Sequence, residues 1–273
     1  MSHLIGISTS LLQNTDSFEV LADLSPDFIE LYNFTTPALE KAVKFCSEKK
    51  IKISLHTPVP YDEKNPLTRF DPTSADTAER KRAVQLLKQT VACAKELAAL
   101  HVVVHYPGPY PDSPPNISPE AEHVFITTIL EQQELFNVPV LIENLTYHPG
   151  FNRPDHYQYL AEKYKQLLFC IDFGHAWMRD IHDVETIVTI LGSRARACHL
   201  YSLWKNAEKW VRLFPSQSEG RTLEMPWRAL LVQLLTLQPH IATVVEPGPS
   251  PARSIPGLKN DFDNIRQLLS VPS

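Results

Sequence analysis

Glycine is scarce in this chain, eight residues among 273, and none falls into a G-x-G-x-x-G or P-loop pattern. Backbone turns that cradle a pyrophosphate need such glycines, which argues against nucleotide cradling. Cysteine is rarer still. Cys46, Cys93, Cys170 and Cys198 lie far apart in apolar patterns with no C-x-x-C pair, so they read as buried, reduced thiols rather than zinc or redox ligands. No stretch approaches the roughly 18 apolar residues of a membrane span, and the amino terminus lacks a basic segment leading into an apolar one. A cytoplasmic protein with no membrane partner is the expectation. Polybasic runs are missing too: the formal net charge is −5, which leaves no footprint for duplex nucleic acid.

What is present is alternation. Hydrophobic residues make up 43% and charged residues 21%, as in a globular protein with a large core. Short β-branched runs occur at Leu4–Ser8, Phe28–Tyr32, Ile51–Leu55, His101–His105, Val138–Glu143, Leu167–Asp172, Ala195–Leu200 and Ile241–Glu246. Between and after them lie amphipathic segments at Ser17–Leu24, Pro37–Lys49, Ser74–Leu100, Ser118–Phe136, Arg153–Tyr164, Val184–Leu191, Pro226–Leu237 and Leu258–Leu269. The alternation predicts an α/β protein, a single parallel (β/α)8 barrel filling residues 1–273 as one domain. A doubly wound open sheet is the competing arrangement. The irregular stretches Pro107–Pro119 and Leu203–Arg221 are long enough to expect them over an active-site mouth.

Six apolar runs end in a metal-competent side chain: His56, His105, Glu143, Asp172, His199 and Glu246. In a parallel barrel all strand carboxyl ends open on one face, so these six residues converge there. Carboxylates crowded at one mouth repel or go unsatisfied unless a cation compensates them. Mixed imidazole and carboxylate donors suit zinc first and manganese next. The strings His56-Thr-Pro-Val-Pro-Tyr, His105-Tyr-Pro-Gly-Pro-Tyr and Glu246-Pro-Gly-Pro add stiff, sharp exits from the strands.

The motifs His56-Thr-Pro, Val-Val-His105-Tyr-Pro-Gly, Ile-Glu143-Asn, Ile-Asp172-Phe-Gly-His175-Ala, His199-Leu and Val-Glu246 resemble the xylose isomerase-like barrel superfamily, and within it the endonuclease IV branch. The resemblance implies a first metal centre of His56, His105 and Glu143. It implies a second of Glu143, Asp172, His199 and Glu246, with Glu143 bridging. The tetrad alone also resembles the single-metal site of the superfamily's sugar isomerases, epimerases and dehydratases. The Asp-x-His motif that serves a third metal in the endonucleases is replaced by Glu208-Lys209-Trp210-Val211-Arg212-Leu213, which leaves His175 as a supporting group or proton donor.

Around these ligands the sequence places Glu30, Asn144, Trp177, Lys205 and Arg212 as substrate-binding residues, with Tyr32, Asn33, Tyr201 and Arg221 nearby. The first expectation for function is a two-metal phosphoester hydrolase acting on something other than duplex DNA. The alternative is a single-metal isomerase, epimerase or dehydratase of a sugar or sugar phosphate, with Glu143 and Glu246 as opposed acid and base. Abasic-site DNA repair and a catalytically inert binding barrel stand behind these. The expected partner is a small phosphorylated or polyhydroxylated molecule.

Overall fold

A computed structural model describes residues 3–12, 15–61, 69–205, 207–215, 225–248 and 255–270, without the side chains of 15–17 and 255–257. Eight parallel strands close into a barrel: β1 (Leu4–Ser8), β2 (Phe28–Tyr32), β3 (Lys52–His56), β4 (Val102–His105), β5 (Val140–Glu143), β6 (Leu168–Asp172), β7 (Ala195–Leu200) and β10 (Ala242–Val245). β10 closes the ring by pairing with both β7 and β1. Between β7 and β10 the chain inserts an antiparallel hairpin, β8 (Ser202–Lys205) and β9 (Trp210–Leu213). It replaces part of the stretch read from the sequence as irregular; Arg221 lies outside the described residues.

Helices follow the strands: α1 (Thr36–Lys49), α2 (Thr77–Glu96), α3 (Pro119–Phe136), α4 (Pro154–Lys163), α5 (Phe173–Arg179), α6 (Asp183–Leu191), α7 (Trp227–Leu237) and α8 (Ile255–Ser270). Their limits follow local chemistry. Thr35 and Ser118 cap α1 and α3 by accepting from Ala38 N and Ala121 N, each with a proline in the first turn. Lys50 and Asn137 end the same helices in the left-handed region, with φ of 56° and 53°. The expected helix Ser74–Leu100 is shorter at both ends, because Asp76 caps at Ala78 N and Ala98 takes φ 51°. The segment after β1 is a 3-10 helix, Thr15–Leu24, rather than an α-helix.

Strand periodicity divides the apolar residues into two layers. Outward side chains such as Ile5, Ile29, Leu55, Val104, Ile142 and Ile171 join the helices in the main core. Inward ones, Phe28, Val103, Leu141, Cys170, Ala197, Ala242 and Val244, form a separate plug inside the barrel. Gly6 is required here: a Cβ would lie 2.5 Å from the Phe28 ring. Three of the four thiols are buried and Cys93 is half-buried; all four are free. Among the described residues no helix is long and apolar enough to cross a membrane.

The loop after β3 is bolted to the loop after β4. Buried Asp71 accepts from Thr73 Oγ1 (2.9 Å) and Ser113 Oγ (2.8 Å), and Arg69 grips Asp112 with two hydrogen bonds of 2.7 and 2.8 Å. Arg69 also lies over the Tyr110 ring at 4.0 Å. These ties fix the rim on the side of His56 and His105.

Candidate metal centre

The inner plug dictates where the site sits. Two residues beyond Val103, Leu141, Cys170, Ala197 and Val244 come His105, Glu143, Asp172, His199 and Glu246, so each points into the barrel one layer higher. His56 reaches the same layer from β3. All except His105 are buried, and His105 is 18% exposed.

Four consecutive strands of the ring, β5, β6, β7 and β10, supply Glu143, Asp172, His199 and Glu246, whose donor atoms lie within 4.8 Å of one another. His199 Nδ1 is 3.0 Å from Glu246 Oε2, 3.5 Å from Glu143 Oε1 and 3.7 Å from Asp172 Oδ2. Yet neither His199 Nδ1 nor Asp172 Oδ2 has a hydrogen bond, although both are buried. The atoms point at a common centre instead of at each other. Unpaired buried polar atoms are costly, and a divalent cation at that centre satisfies them, so the donor set fits one.

A second group of metal size contains His56, Glu143 and His199. His56 Nε2 is 3.0 Å and His105 Nε2 is 3.2 Å from Glu143 Oε2. His105 enters no cluster of metal size with them among the described residues. His175 Nδ1 faces three acceptors, Asn144 O at 3.1 Å, Glu143 Oε1 at 3.1 Å and Asp172 Oδ2 at 3.4 Å. It must therefore carry the ring proton, which leaves Nε2, buried and without a partner, as the free end.

The charges hold one another in place. Burial pushes the Glu143 carboxyl up, but His199, His105 and His175 outweigh it and keep it well below the ordinary carboxylate range. Burial acts on Glu246 likewise, and His199 with Arg212 holds it low. For His199, burial favours the neutral ring, and the surrounding acidic groups, Glu30, Glu246 and Glu143 among them, reverse that and raise it well above 6.5. His56 and His175 are raised by the same contest, whereas for His105 burial wins and the ring is kept neutral.

The residues assigned to substrate from sequence divide. Arg212, on the hairpin, brings Nη1 to 3.4 Å from Glu246 Oε2 and stacks at 4.9 Å on Tyr201. Tyr201 in turn packs on Gly174, where a Cβ would sit 1.9 Å from the ring. Lys205 is exposed and lies 5.3 Å over the Trp210 ring of its own hairpin, not against a ligand. Trp177 is buried in the main core. Asn144 is committed to the backbone of Asp172, accepting its N–H at 2.8 Å and donating to its carbonyl at 2.9 Å. Glu30 is fully buried beneath His199, with Oε1 3.2 Å from Nε2, and does not face the mouth. Tyr32 stands edge-on to His56 at 4.9 Å and Asn33 is exposed. His101, to which the sequence reading gave no role, points at Glu30 Oε2 from 3.8 Å. The alternation 101, 103, 105 carried that signal.

Several solved structures share this architecture. A D-tagatose 3-epimerase-like protein aligns with TM-score 0.71 at 18% identity over 97% of both chains. An L-ribulose 3-epimerase aligns with TM-score 0.72 at 14% identity, over 98% of this chain and 94% of the other. Endonuclease IV from Thermus thermophilus gives 0.60 at 16% identity over 97% of both. At such identities the likeness speaks for the fold alone. No curated protein sequence gives a significant match. The profile of the xylose isomerase-like TIM barrel family matches residues 14–262, and the chain belongs to that family.

Proposed function

We propose that the chain is a divalent-metal-dependent epimerase of a small polyhydroxylated carbonyl compound. The observation that carries this reading is the tetrad: Glu143, Asp172, His199 and Glu246 gather into one metal-sized cluster, while His105 joins none among the described residues. Neighbours of the same fold named as a D-tagatose 3-epimerase-like protein and an L-ribulose 3-epimerase support the choice of substrate class.

A divalent ion held by the tetrad would supply Lewis acidity to a carbonyl oxygen and the hydroxyl beside it. Glu143 and Glu246 stand on strands separated by β6 and β7, so they approach a centrally held substrate from two sides. One carboxylate removes the proton from the carbon next to the carbonyl, and that C–H electron pair shifts toward the carbonyl oxygen. The opposite carboxyl group, protonated, returns a proton to the other face and configuration inverts. Solvent resets both groups. Arg212 beside Glu246 and the free Nε2 of His175 hold substrate oxygens.

The two-metal phosphoester hydrolase expected first from the sequence keeps one observation in its favour, the group His56, Glu143 and His199. A third centre of the endonuclease kind is disfavoured, because the hairpin brings a guanidinium, Arg212, near enough to His175 to oppose its protonation. A cation there would repel a third ion.

Manganese- or zinc-loaded protein incubated in D2O with D-tagatose, D-fructose or L-ribulose should exchange one carbon-bound proton and yield the epimer, seen by NMR. Two tightly held ions per chain, with hydrolysis of bis-p-nitrophenyl phosphate and no exchange into any of these sugars, would replace this reading by the hydrolase.

A further inference from the structure

Beneath the ligand layer lies a column of ionisable groups that the proposed reaction does not use. Glu30 is wholly enclosed at the level of the apolar plug. Its Oε1 is 3.2 Å from His199 Nε2, and its Oε2 is 3.5 Å from Ser54 Oγ and 3.8 Å from His101 Nε2. An enclosed carboxylate accepts hydrogen bonds only, and it is expensive to bury without donors. Ser54 gives one at the limit of hydrogen-bonding range. The side-chain nitrogen set against Oε1 is His199 Nε2, and both atoms are buried without a hydrogen bond to any other group or to each other.

We infer that Glu30 is the positioning residue of the metal centre: it accepts the Nε2 proton of His199 and so presents the Nδ1 lone pair to the ion. The opposite tautomer would set a ring lone pair against the Glu30 carboxylate and drive an N–H into the ligand centre. There Glu246, Glu143 and Asp172 stand 3.0, 3.5 and 3.7 Å from Nδ1. A carboxylate behind a ligating imidazole fixes ring orientation as well as tautomer and raises the basicity of the ligating nitrogen. His101 extends the column by proximity alone, its buried Nε2 standing 3.8 Å from Glu30 Oε2 without a hydrogen bond. This rests on the metal-centre reading above, but it says nothing of the reaction.

Zinc titration against a competing chelator tests it without reference to activity. Glu30→Gln keeps the volume and should weaken zinc by ~10- to 100-fold while saturating zinc still fills the same number of sites. Ser54→Ala should shift affinity far less. In the zinc-loaded wild type, 15N-histidine NMR should show His199 ligating through Nδ1, with a slowly exchanging, hydrogen-bonded Nε2 proton. That measurement stands even if Glu30→Gln does not fold. Ligation through Nε2, or an affinity in Glu30→Gln within about threefold of wild type, overturns the inference alone. A wild-type chain that takes up no zinc or manganese overturns the metal-centre reading and this inference with it.

Discussion

The two halves of the barrel mouth carry the same kinds of side chain and treat them differently. On β5, β6, β7 and β10 the donors converge within 4.8 Å with orphaned atoms aimed at a shared centre. On β3 and β4 the imidazoles of His56 and His105 instead turn onto one oxygen of Glu143, at 3.0 and 3.2 Å. The contrast is sharpest at His105, which joins no metal-sized group among the described residues, whereas His56 joins one with Glu143 and His199. On one side the lone pairs are left for a cation; on the other the ring nitrogens are already matched to a carboxylate. Glu143 joins the halves, one oxygen to each, as its contacts with His56 and His105 through Oε2 and with His175 through Oε1 show.

Removing the shared residue should break both halves at once. Glu143→Gln takes away a ligand charge and an acid–base group together, and should cost about 10³-fold or more in turnover. Bound manganese or zinc, counted after gel filtration, should drop as well. Full retention of activity would remove Glu143 from the chemistry.

Arg212 sharpens the tetrad side without offering a ligand atom of its own. It approaches Glu246 and stacks on Tyr201 but belongs to no ligand cluster. Arg212→Met should lower kcat/KM by ~10- to 100-fold, the range for a charge-assisted hydrogen bond, and leave metal content unchanged. Loss of the ion in this variant would mean that the arginine acts by holding Glu246 in place.

The comparison also explains what the sequence could tell. Apolar runs ending in His or acid marked the ring, because burial on both faces makes barrel strands nearly continuous in hydrophobicity and a polar end stands out. The helix α5 left no such mark: Asp172 is at once the last residue of β6 and the cap of α5, accepting from His175 N at 2.6 Å, so no linker separates them. The hairpin was hidden by strands of four residues each and no Asn-Gly or Asp-Gly turn. Depth was the other blind spot. Glu30 and Asn144 are polar residues beside the ligands in sequence and strand register, yet one lies a layer below the mouth and the other is spent on the Asp172 backbone. Sequence period gives the face of a strand, not the level along the barrel axis at which a side chain meets its partner.

Acidity separates the metal-free from the metal-loaded state. In the metal-free protein His56, His175 and His199 titrate above their ordinary 6.5 and Glu143 and Glu246 below their ordinary 4.5. The raised histidines stabilise the fold fully below 6.5 and lose that contribution as pH rises through their folded values. The depressed carboxyls stabilise it above 4.5 and lose that as pH falls through theirs. Chelator-treated protein should therefore melt at the highest temperature between those limits and less stably in mild alkali. Metal affinity should run the other way, rising about tenfold per pH unit while one proton must leave His199. A metal affinity flat between about pH 5.5 and 7.5 would place a different atom at the ligand position.

The smallest expected effect tests the comparison most directly. His105 is the most exposed of the imidazoles around Glu143 and the one kept neutral by burial, so its Nε2–H donates to Glu143 Oε2 without adding a positive charge. If the β3–β4 half only orients Glu143, His105→Ala removes one of two donors to that oxygen and His56 retains the other. Turnover should fall about tenfold, the scale of one hydrogen bond to a charged group, and the ion count should stay as in the wild type. In a two-metal site the same variant strips a Lewis acid, so the count falls by one ion and the rate by several orders of magnitude. Metal analysis of His105→Ala beside the wild type, at equal pH and free metal, distinguishes a half that positions from a half that coordinates.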